Sequence, residues 1–139
     1  MGKKAPDWIL KDADNNIVAL KSLKSKVLLI QFTGVSCGPC KASIPFLKQL
    51  MTEYDQADFD FVAIEAFAKN SNVLKSYQQR NRFDYTFLMS NKELNKRYQI
   101  QAIPVFFILD ENRIIREVIH GYSKNSVDQK IREAINKMI

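Results

Sequence analysis

Both cysteines of the chain fall within "QFTGVSCGPCKASIP", as Cys37 and Cys40, with only Gly38 and Pro39 between them. A pair at this spacing can exchange thiols with another disulfide, close a structural bridge or hold a soft metal. Zinc needs about four ligands, usually two such cysteine pairs or one pair with two histidines. The chain holds two cysteines and one histidine, His120, so no zinc site is expected. Covalent haem needs a histidine directly after the second cysteine, and Lys41 stands there. A structural bridge this short removes little entropy from the unfolded chain, because the effect grows with loop length. Position favours thiol exchange. Cys37 lies where a strand pattern ends and a helical pattern begins. Unpaired N–H groups and the helix dipole stabilise a thiolate there, and thiols so placed in proteins can have pKa values below the free value of about 8.5. Cys40, one turn on and facing inward, is placed to resolve a mixed disulfide.

The elements that position the pair follow from periodicity. "KVLLIQFT" (26–33) is a nearly unbroken apolar run, as in a central strand covered on both faces. Cys40, Ile44, Leu47, Met51 and Tyr54 recur at helical spacing, and Pro45 inside that pattern predicts a kink. "FDFVAIEAF" (59–67) and "IPVFFILD" (103–110) read as two further buried strands, and "RIIREVIHG" as the hairpin partner of the second. Residues 9–20 read as a hairpin turned at Ala13-Asp14-Asn15-Asn16. Helices are expected over 70–81 with Ser71 as cap, from Ser90-x-x-Glu93, and at the C-terminus from Ser126-x-x-Gln129. Residues 83–88 are a further strand candidate. Strands alternating with helices, followed by a late hairpin, imply an α/β chain with a mixed central sheet and helices on both faces.

The totals agree with one domain over 1–139. A chain of 139 residues with 46% hydrophobic and 26% charged residues can bury a core unaided. No repeat, low-complexity tract or linker divides it. The net charge of +6 comes from lysines and arginines scattered along the chain, a solvated basic surface and not a nucleic-acid footprint. No apolar run reaches the length of a membrane span. "MGKKAPDWIL" has a positive start but no apolar h-region. That leaves a cytoplasmic protein, or one whose leader has been lost ahead of Met1-Gly2.

Cys-Gly-Pro-Cys after a strand resembles the active site of thioredoxin. Three more positions carry the likeness: Pro45, eight residues after Cys37, Ile103-Pro104, and Gly121 after the last strand. The lead-in "APDWILKDADNNIVALKSLKSKVLLIQF" is similar to that of the TlpA/ResA-like extracytoplasmic thiol–disulfide oxidoreductases. The resemblance implies a thioredoxin-like fold with an N-terminal hairpin extension over 5–25 and a core over 26–139. It implies Cys37 as nucleophile and Cys40 as resolving thiol, with the Cys37–Cys40 disulfide as the only redox group and no bound cofactor or metal. Ile103, a cis Pro104, Gly38 and Pro39 would meet the substrate. The partners would be protein disulfides or dithiols and an upstream thiol donor, and the chain would act as a monomer outside the cytoplasm, in a periplasm or behind a membrane-anchored leader.

The neighbours depart from that pattern. The buried aspartate six residues before the first cysteine of thioredoxins is Gln31 here. The glutamate six residues after it in ResA-like proteins is Ser43. Thr33 and Ser36 replace tryptophans, which implies a smaller, more polar rim. Glu65 is either a solvated strand-end residue or a carboxylate that faces and tunes the site. His120 is either a solvated strand-end histidine or a neighbour of the pair. Two other functions compete with reduction of protein disulfides. One is a peroxidase of the peroxiredoxin type, although the threonine those proteins place three residues before the cysteine is here four residues away. The other is a non-catalytic binding module or Cu(I) carrier.

Overall fold

The computed structural model describes residues 1–139. Strands β1 (Ile9–Asp12) and β2 (Ile17–Ala19) form the N-terminal hairpin. The Asp12 carboxylate closes its turn by accepting from Asp14 N at 2.8 Å and Asn16 N at 2.9 Å. Asn15 takes a φ of 66°, a left-handed conformation that asparagine tolerates. A single 3₁₀ turn, Leu20–Ser22, leads to β3 (Val27–Thr33). There follow α1 (Gly38–Glu53), β4 (Phe59–Glu65), α2 (Ser71–Asn81), β5 (Thr86–Met89) and α3 (Lys92–Arg97). The chain ends with β6 (Val105–Leu109), β7 (Ile115–His120) and α4 (Ser126–Met138).

The seven strands form one sheet in the order β2-β1-β5-β4-β3-β6-β7. β3 pairs in parallel with β4 and antiparallel with β6, which explains why all seven of its residues are buried. Its side chains alternate between two cores. Val27 and Leu29 join the helices α1, α2 and α4 through Leu47, Leu74 and Ile131. Leu28, Ile30 and Phe32 join Trp8, Leu20 and the α3 side through Leu94 and Tyr98. The hairpin joins the main sheet. β1 adds antiparallel to β5, through Lys11 opposite Met89 and Asp12 opposite Leu88.

Local details differ from the sequence reading. The cap of α2 is Asn70, not Ser71, and its side chain accepts from Val73 N at 3.2 Å. The cap of α3 is Asn91, not Ser90, accepting from Leu94 N at 2.8 Å. The cap position of α4 is Asn125, with φ at 74° and no side-chain bond, while Ser126 already lies inside the helix. Asparagine and serine cap about equally well, so adjacent Asn-Ser pairs leave the boundary open by one residue. α1 runs through the exposed Pro45 without a break in its helical span. β4 stops at Glu65, two residues short of Phe67.

Candidate redox site

The end of β3 and the start of α1 hold the pair. Cys37 is the N-cap of α1, and its Sγ accepts from Cys40 N at 3.2 Å. Pro39 occupies the first turn, where a missing N–H costs nothing. Cys37 and Cys40 are bridged, with Cα atoms 5.3 Å apart. The two sulfurs differ in access. Cys37 is half-buried and flanked by exposed Ser36, Gly38 and Pro39, whereas Cys40 is 1% exposed. A large reactant therefore reaches Cys37 first, and Cys40 is reachable from Cys37.

The loop before β6 completes the rim. The Ile103–Pro104 bond is cis, and the Ile103 carbonyl oxygen lies 3.8 Å from Cys37 Sγ. Gly34 makes room for the Ile103 side chain, since a Cβ there would meet its Cδ1 and push that methyl aside. Gly121, at φ 79°, donates its N–H to the Pro104 carbonyl at 2.8 Å and fixes the far side of the loop. His120 pairs with Val105 in the sheet and is exposed, and neither cysteine bonds to it.

Two buried polar residues beneath the pair answer each other. Gln31, 2% exposed, donates from Nε2 to Ser43 Oγ at 3.0 Å. Ser43, 0% exposed, donates in turn to the Cys40 carbonyl at 2.6 Å. The two positions where related proteins place carboxylates are thus joined by an uncharged relay of hydrogen bonds. Each substitution was visible in the sequence. Their contact was not, because it needs the register of β3 against α1.

Glu65 is not a solvated strand end. It is 1% exposed. One carboxylate oxygen accepts from Val35 N at 2.6 Å, and the other accepts from Phe67 N and from Ala68 N, the latter at 2.7 Å. It ties the loop that carries Cys37 to the loop after β4. Its bonds go to these amides and not to Cys40. Thr33 also differs from expectation: it is 5% exposed and lies under the rim, leaving Ser36 as the exposed polar residue there. No group of three or more His, Cys, Asp or Glu side chains is arranged to hold a metal.

Comparison with known proteins follows the same lines. The Redoxin family model matches residues 1–135. Thioredoxin-like protein YneN of Bacillus subtilis (strain 168) is 26% identical over 132 residues, covering 94% of this chain and 78% of that protein. The thiol-disulfide oxidoreductase ResA of Bacillus thuringiensis subsp. konkukian is 23% identical over 137 residues, covering 96% and 78%. Among solved structures, a thiol:disulfide interchange protein of the thioredoxin family from Chlorobium tepidum TLS superposes with a TM-score of 0.82 at 25% identity, covering 97% of each chain. With the thioredoxin-like sheet, the bridged pair at a helix N-terminus and a family match over nearly its whole length, the chain belongs to the Redoxin family.

Proposed function

We propose that Cys37 is the nucleophile and Cys40 the resolving thiol of a reductant of protein disulfides. The chain is a thiol–disulfide oxidoreductase, and the observation that carries these roles is the difference in access across one bridge. In the reduced protein the Cys37 thiolate attacks one sulfur of a substrate disulfide. That S–S bond breaks, and the departing substrate sulfur leaves as a thiolate and takes up a proton. Cys40, after losing its proton, attacks Cys37 Sγ, breaks the mixed disulfide and releases the second substrate thiolate. Two electrons pass to the substrate and the Cys37–Cys40 bridge forms. With Gln31 and Ser43 both uncharged, the proton of Cys40 goes to water or to the leaving thiolate. The Ile103 carbonyl beside Cys37 is positioned to pair with an extended substrate segment, and exposed Gly38 and Pro39 form the other side of the contact.

An upstream dithiol returns the pair to its reduced state. We place the reaction outside the cytoplasm, where such a donor is required because the surroundings are oxidising. The resemblance to the TlpA/ResA-like group and the likeness to a protein named ResA support this. No helix is long and apolar enough to cross a membrane.

The test is a trap. Cys40→Ser, mixed with a disulfide-bonded protein such as insulin, should accumulate a mixed disulfide on Cys37. Cys37→Ser should neither trap nor turn over. A Cys37→Ser variant that retains full activity overturns the assignment. A reduction potential near about −270 mV marks a reductant, and one near about −120 mV would reverse the direction of electron flow.

A further inference from the structure

A groove opens beside the rim, between residues 66–69 and α3, and encloses about 710 Å³. Lys69, Lys92 and Lys96 line it, and no carboxylate does. None of the three lysines belongs to an ion pair. Glu93, the one acid on α3, is bonded to Arg97 instead. Phe67, 56% exposed, stands at its edge as one of the few large apolar side chains left in solvent.

The groove is built and is attached to the redox site at both ends. Ser90 Oγ donates to Asn95 Oδ1 at 2.6 Å, and Asn95 Nδ2 donates to the Ala66 carbonyl at 2.9 Å, so α3 is fastened to the 66–69 loop. That loop is held by Glu65, whose other oxygen holds Val35, two residues before Cys37. Gln101, also in the lining, stands two residues before Ile103 and its carbonyl at Cys37. Residues 101–103 thus link the lining of the groove to the carbonyl beside Cys37. Glu65, the buried carboxylate below, is engaged by three backbone N–H donors, does not line the groove and forms no ion pair with its lysines.

We propose that this groove receives an acidic stretch of the substrate polypeptide adjoining the disulfide to be reduced. Lys69, Lys92 and Lys96 pair with its carboxylates, and Phe67 packs against an apolar residue among them. The inference rests on the function proposed above and names the class of substrate. Clefts lined by one sign of charge raise association rates by about 10- to 1000-fold, and salt removes the gain.

The experiment uses the reduced full-length protein in single turnover against peptides that share one central disulfide. Their flanks carry aspartates, serines or lysines. The second-order rate should fall in that order, with the aspartate peptide about tenfold faster than the serine peptide at low ionic strength, and the difference should vanish in about 1 M salt. The triple variant Lys69→Ser/Lys92→Ser/Lys96→Ser should lose the preference. The variant Lys24→Ser/Lys130→Ser/Lys137→Ser, which removes as many exposed lysines from outside the groove, should keep it. Hydroxyethyl disulfide, small and neutral, should react equally with all three proteins. Equal rates for aspartate and serine peptides at low salt, or a preference that survives in the groove variant, overturn the proposal. Failure of wild type to reduce hydroxyethyl disulfide would instead overturn the functional assignment itself.

Discussion

The hydrogen-bond relay under Cys40 predicts an asymmetry that a list of contacts would miss. Ser43→Ala removes the acceptor of the Gln31 amide and leaves that amide stranded at 2% exposure. An unsatisfied buried donor costs about 1–3 kcal/mol. Gln31→Met, of similar size, removes the amide altogether, while Ser43 keeps its own bond to the Cys40 carbonyl. That change should cost no more than about 1 kcal/mol. The double variant Gln31→Met/Ser43→Ala has no stranded donor, so it should be more stable than Ser43→Ala alone, with a coupling of about 1–2 kcal/mol. Urea unfolding of the oxidised proteins measures this. At a slope of about 1–3 kcal/mol/M, the expected differences move the midpoint by about 0.3 M or more, provided the slope itself is unchanged. If the double variant costs the sum of the singles to within about 0.5 kcal/mol, or if Gln31→Met costs as much as Ser43→Ala, the relay does not hold this region as described.

Further outcomes can be checked with the same protein. Limiting iodoacetamide on the reduced form should label Cys37 at least about tenfold faster than Cys40, because thiolate character and access both favour the helix-capping sulfur; mass spectrometry of the digest reads the ratio. Glu65→Ala strands three backbone N–H groups and should destabilise by at least about 3 kcal/mol in urea unfolding. Gly34→Ala pushes aside only the end of the Ile103 side chain, so it should cost no more than about 1–3 kcal/mol in stability while slowing attack on protein disulfides more than on hydroxyethyl disulfide. The Arg132 hydrogen bond holds the Glu53 carboxyl below its ordinary range. A depressed folded pKa stabilises above the unfolded value of about 4.3 and loses that contribution as pH falls through the folded pKa. Glu53→Gln should therefore cost up to about 1 kcal/mol near neutrality and nothing at the acid end of a stability–pH curve.

Much of this was legible in the chain because the signals were redundant. The apolar run at 26–33 suits a strand covered on both faces, and the helical spacing from Cys40 onward marks the inner sulfur. The site's supports were less legible because they act between elements. Gln31 and Ser43 read separately as two lost carboxylates. Only the packing of α1 on β3 shows that the loss at each position is matched by the other. Glu65 stayed open between a solvated strand end and a carboxylate facing the site because periodicity does not report where loop amides point. Three of them point at it. The groove lysines lie on separate elements, Lys69 before α2 and the others on α3, so a scan for clustered charge along the sequence passes over them.

The way β1 clips onto β5 also bears on how the molecule is made. The N-terminal hairpin, β1 paired with β2, cannot join the rest of the sheet until residues near 88 and 89 exist, and β3, which meets β4 first, waits still longer for β6, whose Leu109 lies opposite Leu28. β3, buried along its whole length, is therefore synthesised early and paired along its second edge late. A nascent chain halted before about residue 110 leaves the β6-facing edge of β3 unpaired, a template for whatever chaperone or neighbouring chain is at hand.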